Sequence, residues 1–168
     1  MIAQSLLMIV LPAILATAAA FDLTSYTIPN SLSLALVAAF MAFALAVSLA
    51  PSALSWHLLA GLVALAAGFL LFALGYIGGG DAKLFAAISL WLGWHDLLAY
   101  AVAASLLGGA LSVTLLALRQ VPLPASIRQA WILKLHEKTS GVPYGVALAA
   151  GALAILPHAE ILGLAAAQ

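Results

Sequence analysis

The chain has 168 residues, 67% of them hydrophobic and 6% charged, with a mean hydropathy of +1.25 and a formal net charge of zero. This composition excludes an ordinary soluble domain and describes an integral membrane protein, and without a basic surplus there is no surface for nucleic acid. With no cysteine, a disulfide framework, a thiolate nucleophile and a cysteine-based metal site are also excluded.

At roughly 20 residues per crossing, the chain has room for about six spans. It therefore reads as a single all-α membrane-embedded domain over 1–168. The first apolar run, 2–23, contains Ala18-Ala19-Ala20, which imitates a signal-peptide cleavage site. No basic segment precedes it and five further apolar runs follow, so it is expected to be retained as the first helix, with Asp22 at its end. Pro29-Asn30 separates it from the second run, 31–50. Pro51-Ser52 then precedes the third, 56–77, which Gly78-Gly79-Gly80 stops. The fourth run, 82–94, is short. About 13 residues of helix rise about 20 Å, against a hydrocarbon core of ~30 Å. A turn is expected at Trp94-His95-Asp96, before the fifth run at 97–118. Arg119 ends that run, and Pro122 and Pro124 keep it from continuing as helix. The sixth run is 143–164.

The five basic residues are Lys83, Arg119, Arg128, Lys134 and Lys138, four of them within 119–142. By the positive-inside rule that loop is cytoplasmic. Lys83 belongs on the same side, so the fourth and fifth segments must form a hairpin, spanning or re-entrant. Counting outward places Asp22 and the Pro29 loop inside, with Pro51, His95 and the C-terminus outside. Asp96 and Glu160 then fall outside, as solvated loop carboxylates. In the 119–142 loop, Ile127, Trp131, Leu133 and Leu135 alternate with Arg128, Lys134 and Lys138. The pattern fits an amphipathic helix at the headgroups or a polar connector.

Only five acidic residues exist. Asp22, at the end of the first helix, and Asp81, at the start of the fourth, are remote in sequence but share one membrane depth. The glycines before Asp81 allow a sharp bend and close backbone approach, and a carboxylate is favoured at a helix start. Two adjacent carboxylates can share a proton and divide into acid and base. The base activates water against a peptide carbonyl and the acid protonates the leaving group. Helix-end polarity points to Asp22 as the first acid and Asp81 as the base. No metal or cofactor is required, and His57, His95, His136 and His158 form no close-spaced ligand motif. A small proton-coupled transporter or channel, relaying protons through Asp22 and Asp81, is the alternative.

The stretch Asp22-Leu-Thr-Ser-Tyr-Thr-Ile28-Pro29-Asn30, followed by Gly78-Gly79-Gly80-Asp81-Ala82-Lys83-Leu84, resembles the type IV prepilin peptidases, GxGD-type aspartyl proteases of the membrane. Pro143-Tyr144-Gly145 resembles a further family feature. The family's catalytic aspartates map onto Asp22 and Asp81. Larger members carry a cysteine-bearing cytoplasmic insertion and also N-methylate the product. This chain has neither insertion nor cysteine, so it is similar to the short CpaA/TadV type of tight-adherence (Flp) pilus systems, and the resemblance does not extend to methyl transfer. It implies a bacterial inner-membrane enzyme that removes the leader of a prepilin or pseudopilin at the cytoplasmic face. Gly78, Gly79, Gly80 and Pro29 would shape the site. Lys83 would tune the pair, bind an acidic residue of the substrate or simply snorkel to the interface. Asn30 and Tyr144 would orient the substrate backbone or pack helices.

Overall fold

The computed structural model describes residues 6–124 and 126–166, with Ala166 described by its backbone alone. Among these residues the chain is helical and strandless. Helix α1 (Leu6–Ser25) opens with a π-helical turn, Leu6–Val10. It is followed by α2 (Asn30–Ala46), α3 (Pro51–Ala73), α4 (Gly79–Leu118), α5 (Ala130–His136) and α6 (Tyr144–Ile155). A 3-10 turn, Leu156–His158, leads to α7 (Glu160–Ala166). Helices α1, α3 and α4 are long and apolar enough to cross a membrane, and α2 and Tyr144–His158 are shorter apolar stretches. The protein is an all-α membrane protein, as its composition requires. Residues 2–5 of the expected first span lie outside the described residues.

Local chemistry sets the helix ends. Tyr26 stops α1 in the left-handed conformation (φ 57), its N–H closing on the Asp22 carbonyl at 2.9 Å. Pro29 holds the chain extended (φ −59, ψ 136) just before α2. Pro51 opens α3 at the position where a missing N–H costs least.

At 40 residues, α4 would be about 60 Å long if straight, twice a membrane. It is folded in two at Gly93, whose φ of 78 and ψ of −179 interrupt the helix. The rings of Phe85 and Tyr100 stack with centroids 5.3 Å apart, although an unbroken helix would separate them by about 22 Å. The expected hairpin is therefore present, but it turns at Gly93, and Trp94, His95 and Asp96 are helical. The reversal needs a backbone conformation that is essentially confined to glycine.

The break frees carbonyls that the helix would otherwise satisfy. His57 of α3 donates from Nδ1 to the Leu90 carbonyl at 2.9 Å; separately, Trp91 Nε1 donates to the Leu36 carbonyl within α2 at 2.9 Å, tying the arm to that helix. Phe40, Phe43, His57 and Trp91 pack as an aromatic knot at this end of the first arm. Elsewhere the helices approach through small residues, which replace hydrophobic driving force with van der Waals contact in lipid. The buried face of α3 is His57, Ala60, Ala64 and Gly68. A Cβ on Gly68 would lie 3.1 Å from the Cα of Ala82, and one on Gly151 of α6 would lie 3.0 Å from that of Ala104.

Two further expectations change. The last run, 143–164, is not one helix: α6 ends at Ile155, the chain tightens around Pro157, and Ala159 is extended. Asp96 is buried, and its Oδ2 accepts the Glu160 N–H at 3.0 Å, so it caps α7 instead of meeting solvent. Glu160 itself is exposed, as expected. Among the described residues of the 119–142 loop, Ala130–His136 is helical and carries Trp131, Leu133, Lys134 and Leu135, with Ile127, Arg128 and Lys138 outside it.

Gly93→Ala is expected to destabilise the fold by about 1–3 kcal/mol from backbone strain. A Cβ there would also sit 2.9 Å from the His57 ring. Thermal unfolding in detergent should show a lower midpoint; an unchanged midpoint would contradict the reversal described here.

Candidate functional site

The buried residues of α1 form one stripe, Leu7, Leu11, Leu15, Ala18 and Asp22. Asp22 continues the apolar face by helical periodicity, so its carboxylate points into the bundle, where it is only 5% exposed. It is not left unpaired: Oδ2 accepts the backbone N–H of Gly145 at 2.6 Å. Gly145 lies in the first turn of α6, whose free N–H groups and dipole favour an anion. The close approach requires glycine, because a Cβ at 145 would stand 2.9 Å from that oxygen.

Asp81 stands in the first turn of α4, with Gly78 as the capping residue. Its Oδ2 accepts the Gly78 N–H at 3.2 Å. Its Oδ1 is buried and has no hydrogen-bond partner among the described residues. An unsatisfied buried carboxylate oxygen is uncommon and is a feature of reactive sites.

Ile28 ties the two carboxylates to one place. A Cβ on Gly80 would meet its Cβ at 3.2 Å, and one on Gly145 would meet its Cδ1 at 2.8 Å. Ile28 therefore packs against both backbone segments that hold the aspartates, and Asp81 lies within electrostatic range of Asp22. The helix-end difference between them is smaller than the sequence suggests. Asp22 sits near the C-terminal end of its own helix but meets the N-terminus of α6.

The other candidates fall around this pair. Gly78 and Gly80 are in the Asp81 turn, whereas Gly79 packs toward Phe72 of α3. Pro29 starts α2, and Asn30 Oδ1 accepts from Lys83 Nζ at 2.9 Å. The Tyr144 ring lies over Gly108 of the second arm of α4, so its contribution near the carboxylates is the backbone leading to Gly145.

Sequence reasoning missed the parts played by Gly145 and Arg119. In the sequence Arg119 marks the end of the fifth run and counts among the basic residues of the 119–142 loop, but it is 5% exposed. Its Nε, Nη1 and Nη2 donate to the carbonyls of Leu135, Ser140 and Gly141 at 2.9, 2.9 and 2.7 Å. It thereby fixes the segment that delivers Pro143 and Gly145. The proline-capped glycine of Pro143-Tyr144-Gly145 was the available signal for close approach. Nothing local signals Arg119.

The fold and this carboxylate pair define a membrane helix bundle with an acidic site at one end. The type IV leader peptidase family model matches residues 9–113, and the chain belongs to that family. It is a type IV leader peptidase-like protease. The match includes Asp22 and Asp81 but neither Arg119 nor Gly145. No curated protein and no solved structure matches the chain significantly.

Gly145→Ala pushes a methyl group against the Asp22 carboxylate and Ile28. Displacement of a reacting group by about 1 Å is expected to cost roughly 100-fold in peptidase activity. A steady-state assay on membranes with matched protein levels checks this, and near-normal turnover would show that the Asp22–Gly145 contact is dispensable.

Proposed function

We propose that the protein is an aspartic endopeptidase of the bacterial inner membrane that removes the leader peptide of type IV, Flp-type prepilins or pseudopilins. The observation that carries this reading is that Asp22 and Asp81 lie within electrostatic range of each other, on backbone segments that both pack against Ile28. The two come from helices remote in sequence, each is held by backbone N–H groups, Asp22 at the start of α6 and Asp81 at Gly78, and one buried oxygen of Asp81 is left free. Asp81 takes a proton from water through that oxygen, and the water oxygen attacks the scissile carbonyl carbon. Asp22, carrying the proton of the pair, first supports the carbonyl oxygen. The tetrahedral intermediate then collapses with cleavage of the C–N bond, and the departing nitrogen takes up a proton. These steps use only the two carboxyl groups and water.

The cleavage side follows from charge. Lys83 beside Asn30, Lys134 at 3.4 Å from the Ser25 carbonyl, and Arg119 beneath Gly141 all gather at the end that holds the carboxylates. His95, Asp96 and Glu160 cluster together on the far side of the Gly93 reversal. The positive-inside rule makes the carboxylate end cytoplasmic. A prepilin whose apolar segment lies in the membrane presents its leader junction at that surface. The 119–142 loop, with α5 inside it, lies over the same end and is suited to rest at the headgroups.

Co-expression with a candidate prepilin tests the reading. Asp22→Ala and Asp81→Ala should each lower leader processing by about 10²–10⁴-fold, the usual weight of an acid/base group, with normal membrane insertion. Processing at the wild-type rate by either variant would sink the two-carboxylate mechanism.

A further inference from the structure

A second site lies on the outer side of the first arm of α4. Helices α2 and α3 are consecutive, yet each rests on α4 more than on the other. They come together where Phe40 meets His57, with ring centroids 5.3 Å apart. Toward Asn30 they leave a groove of about 500 Å³ between them. Val37, Leu58, Leu62 and Ala86 are among its apolar walls, and Lys83 and Asn30 stand at one end.

The direction of Lys83 decides what this groove is for. It follows Asp81 by two residues, which on a helix is about 200° of rotation. Its ammonium is held at 2.9 Å by Asn30 Oδ1 on the groove side, away from the carboxylate pair. No acidic side chain pairs with it among the described residues. A cation at one end of an apolar channel facing the bilayer matches a phospholipid with an anionic headgroup. The size agrees: a narrow groove of about 500 Å³ with apolar walls is long enough to take an acyl chain.

We propose that this groove holds an acyl chain of an anionic phospholipid, with Lys83 and Asn30 on its phosphate. The lipid fills the gap between α2 and α3 and braces the start of α2, two residues from Ile28. It therefore supports the packing that holds both carboxylates. The proposal stands apart from the peptidase reading, because its test reads lipid and not turnover.

The full chain is exchanged into detergent and offered equal amounts of phosphatidylglycerol and phosphatidylcholine with matched acyl chains. Bound lipid is counted by native mass spectrometry. Wild type should retain phosphatidylglycerol about fivefold over phosphatidylcholine, the weight of one interfacial lysine. Lys83→Gln should bind both equally. Leu62→Trp, which fills the groove from an exposed position, should lose both. A wild type without headgroup preference, or a Lys83→Gln variant that keeps it, overturns the assignment. A photo-reactive residue at 37 should label lipid in membranes; labelling of a substrate's apolar segment there would assign the groove to substrate instead.

Discussion

The contact between the Asp22 carboxylate and the Gly145 N–H is the constraint on which the rest of the site depends. A carboxyl group buried inside an apolar bundle is costly unless it is hydrogen-bonded. The hydrogen bond at 2.6 Å from the Gly145 N–H in the first turn of α6 offsets part of that cost. It also dictates architecture. The first and last long stretches of the chain must dock on one another, and the residue at the contact must lack a side chain. Arg119 completes the arrangement by binding three carbonyls of the returning loop, so the entry of α6 is set from the end of α4.

The second carboxylate depends on the Gly93 reversal. From that turn, the first arm of α4 runs back about 21 Å over 79–92, whereas the second continues for about 37 Å over 94–118. The short arm starts part-way along the longer one, so Asp81 is recessed among helices and partly buried. Small residues on α3 let the arm be covered closely, and His57 satisfies the carbonyl that the turn exposes. The shortness that is already visible in the 82–94 run thus has a structural effect: it lowers a carboxylate to the level of Asp22.

Much of this was legible in the sequence because it depends on local chemistry. Composition settles the membrane class, prolines and glycines mark the ends of α1, α2 and α3, and Asp81 announces a helix start. The hairpin followed from the placement of lysines and arginines. What escaped reading depends on partners far along the chain. Asp96 looks like a loop residue until the Glu160 N–H is brought to it. Gly93 is unremarkable among thirteen glycines until its φ is known. Tyr144 stands beside Gly145 in the Pro143-Tyr144-Gly145 motif, but its ring packs into the notch at Gly108. In a chain this uniformly apolar, periodicity carries no inward face, so burial of individual polar groups cannot be read from pattern.

The cations complete the electrostatic logic of the proposed reaction. Two carboxyl groups divide acid and base roles only while they share one proton, and an ammonium or guanidinium between them would favour two separate anions. The structure keeps each nearby cation occupied elsewhere. Lys83 turns to Asn30, Lys134 lies over the Tyr26 ring at 4.8 Å and reaches the Ser25 carbonyl, and Arg119 is committed to three loop carbonyls. The same basic residues that orient the chain by the positive-inside rule therefore sit close to the pair without neutralising it. In the proposed orientation the positive charges gather at the carboxylate end, and an acidic pair there needs them turned aside; the hydrogen bonds of Lys83, Lys134 and Arg119 satisfy both demands.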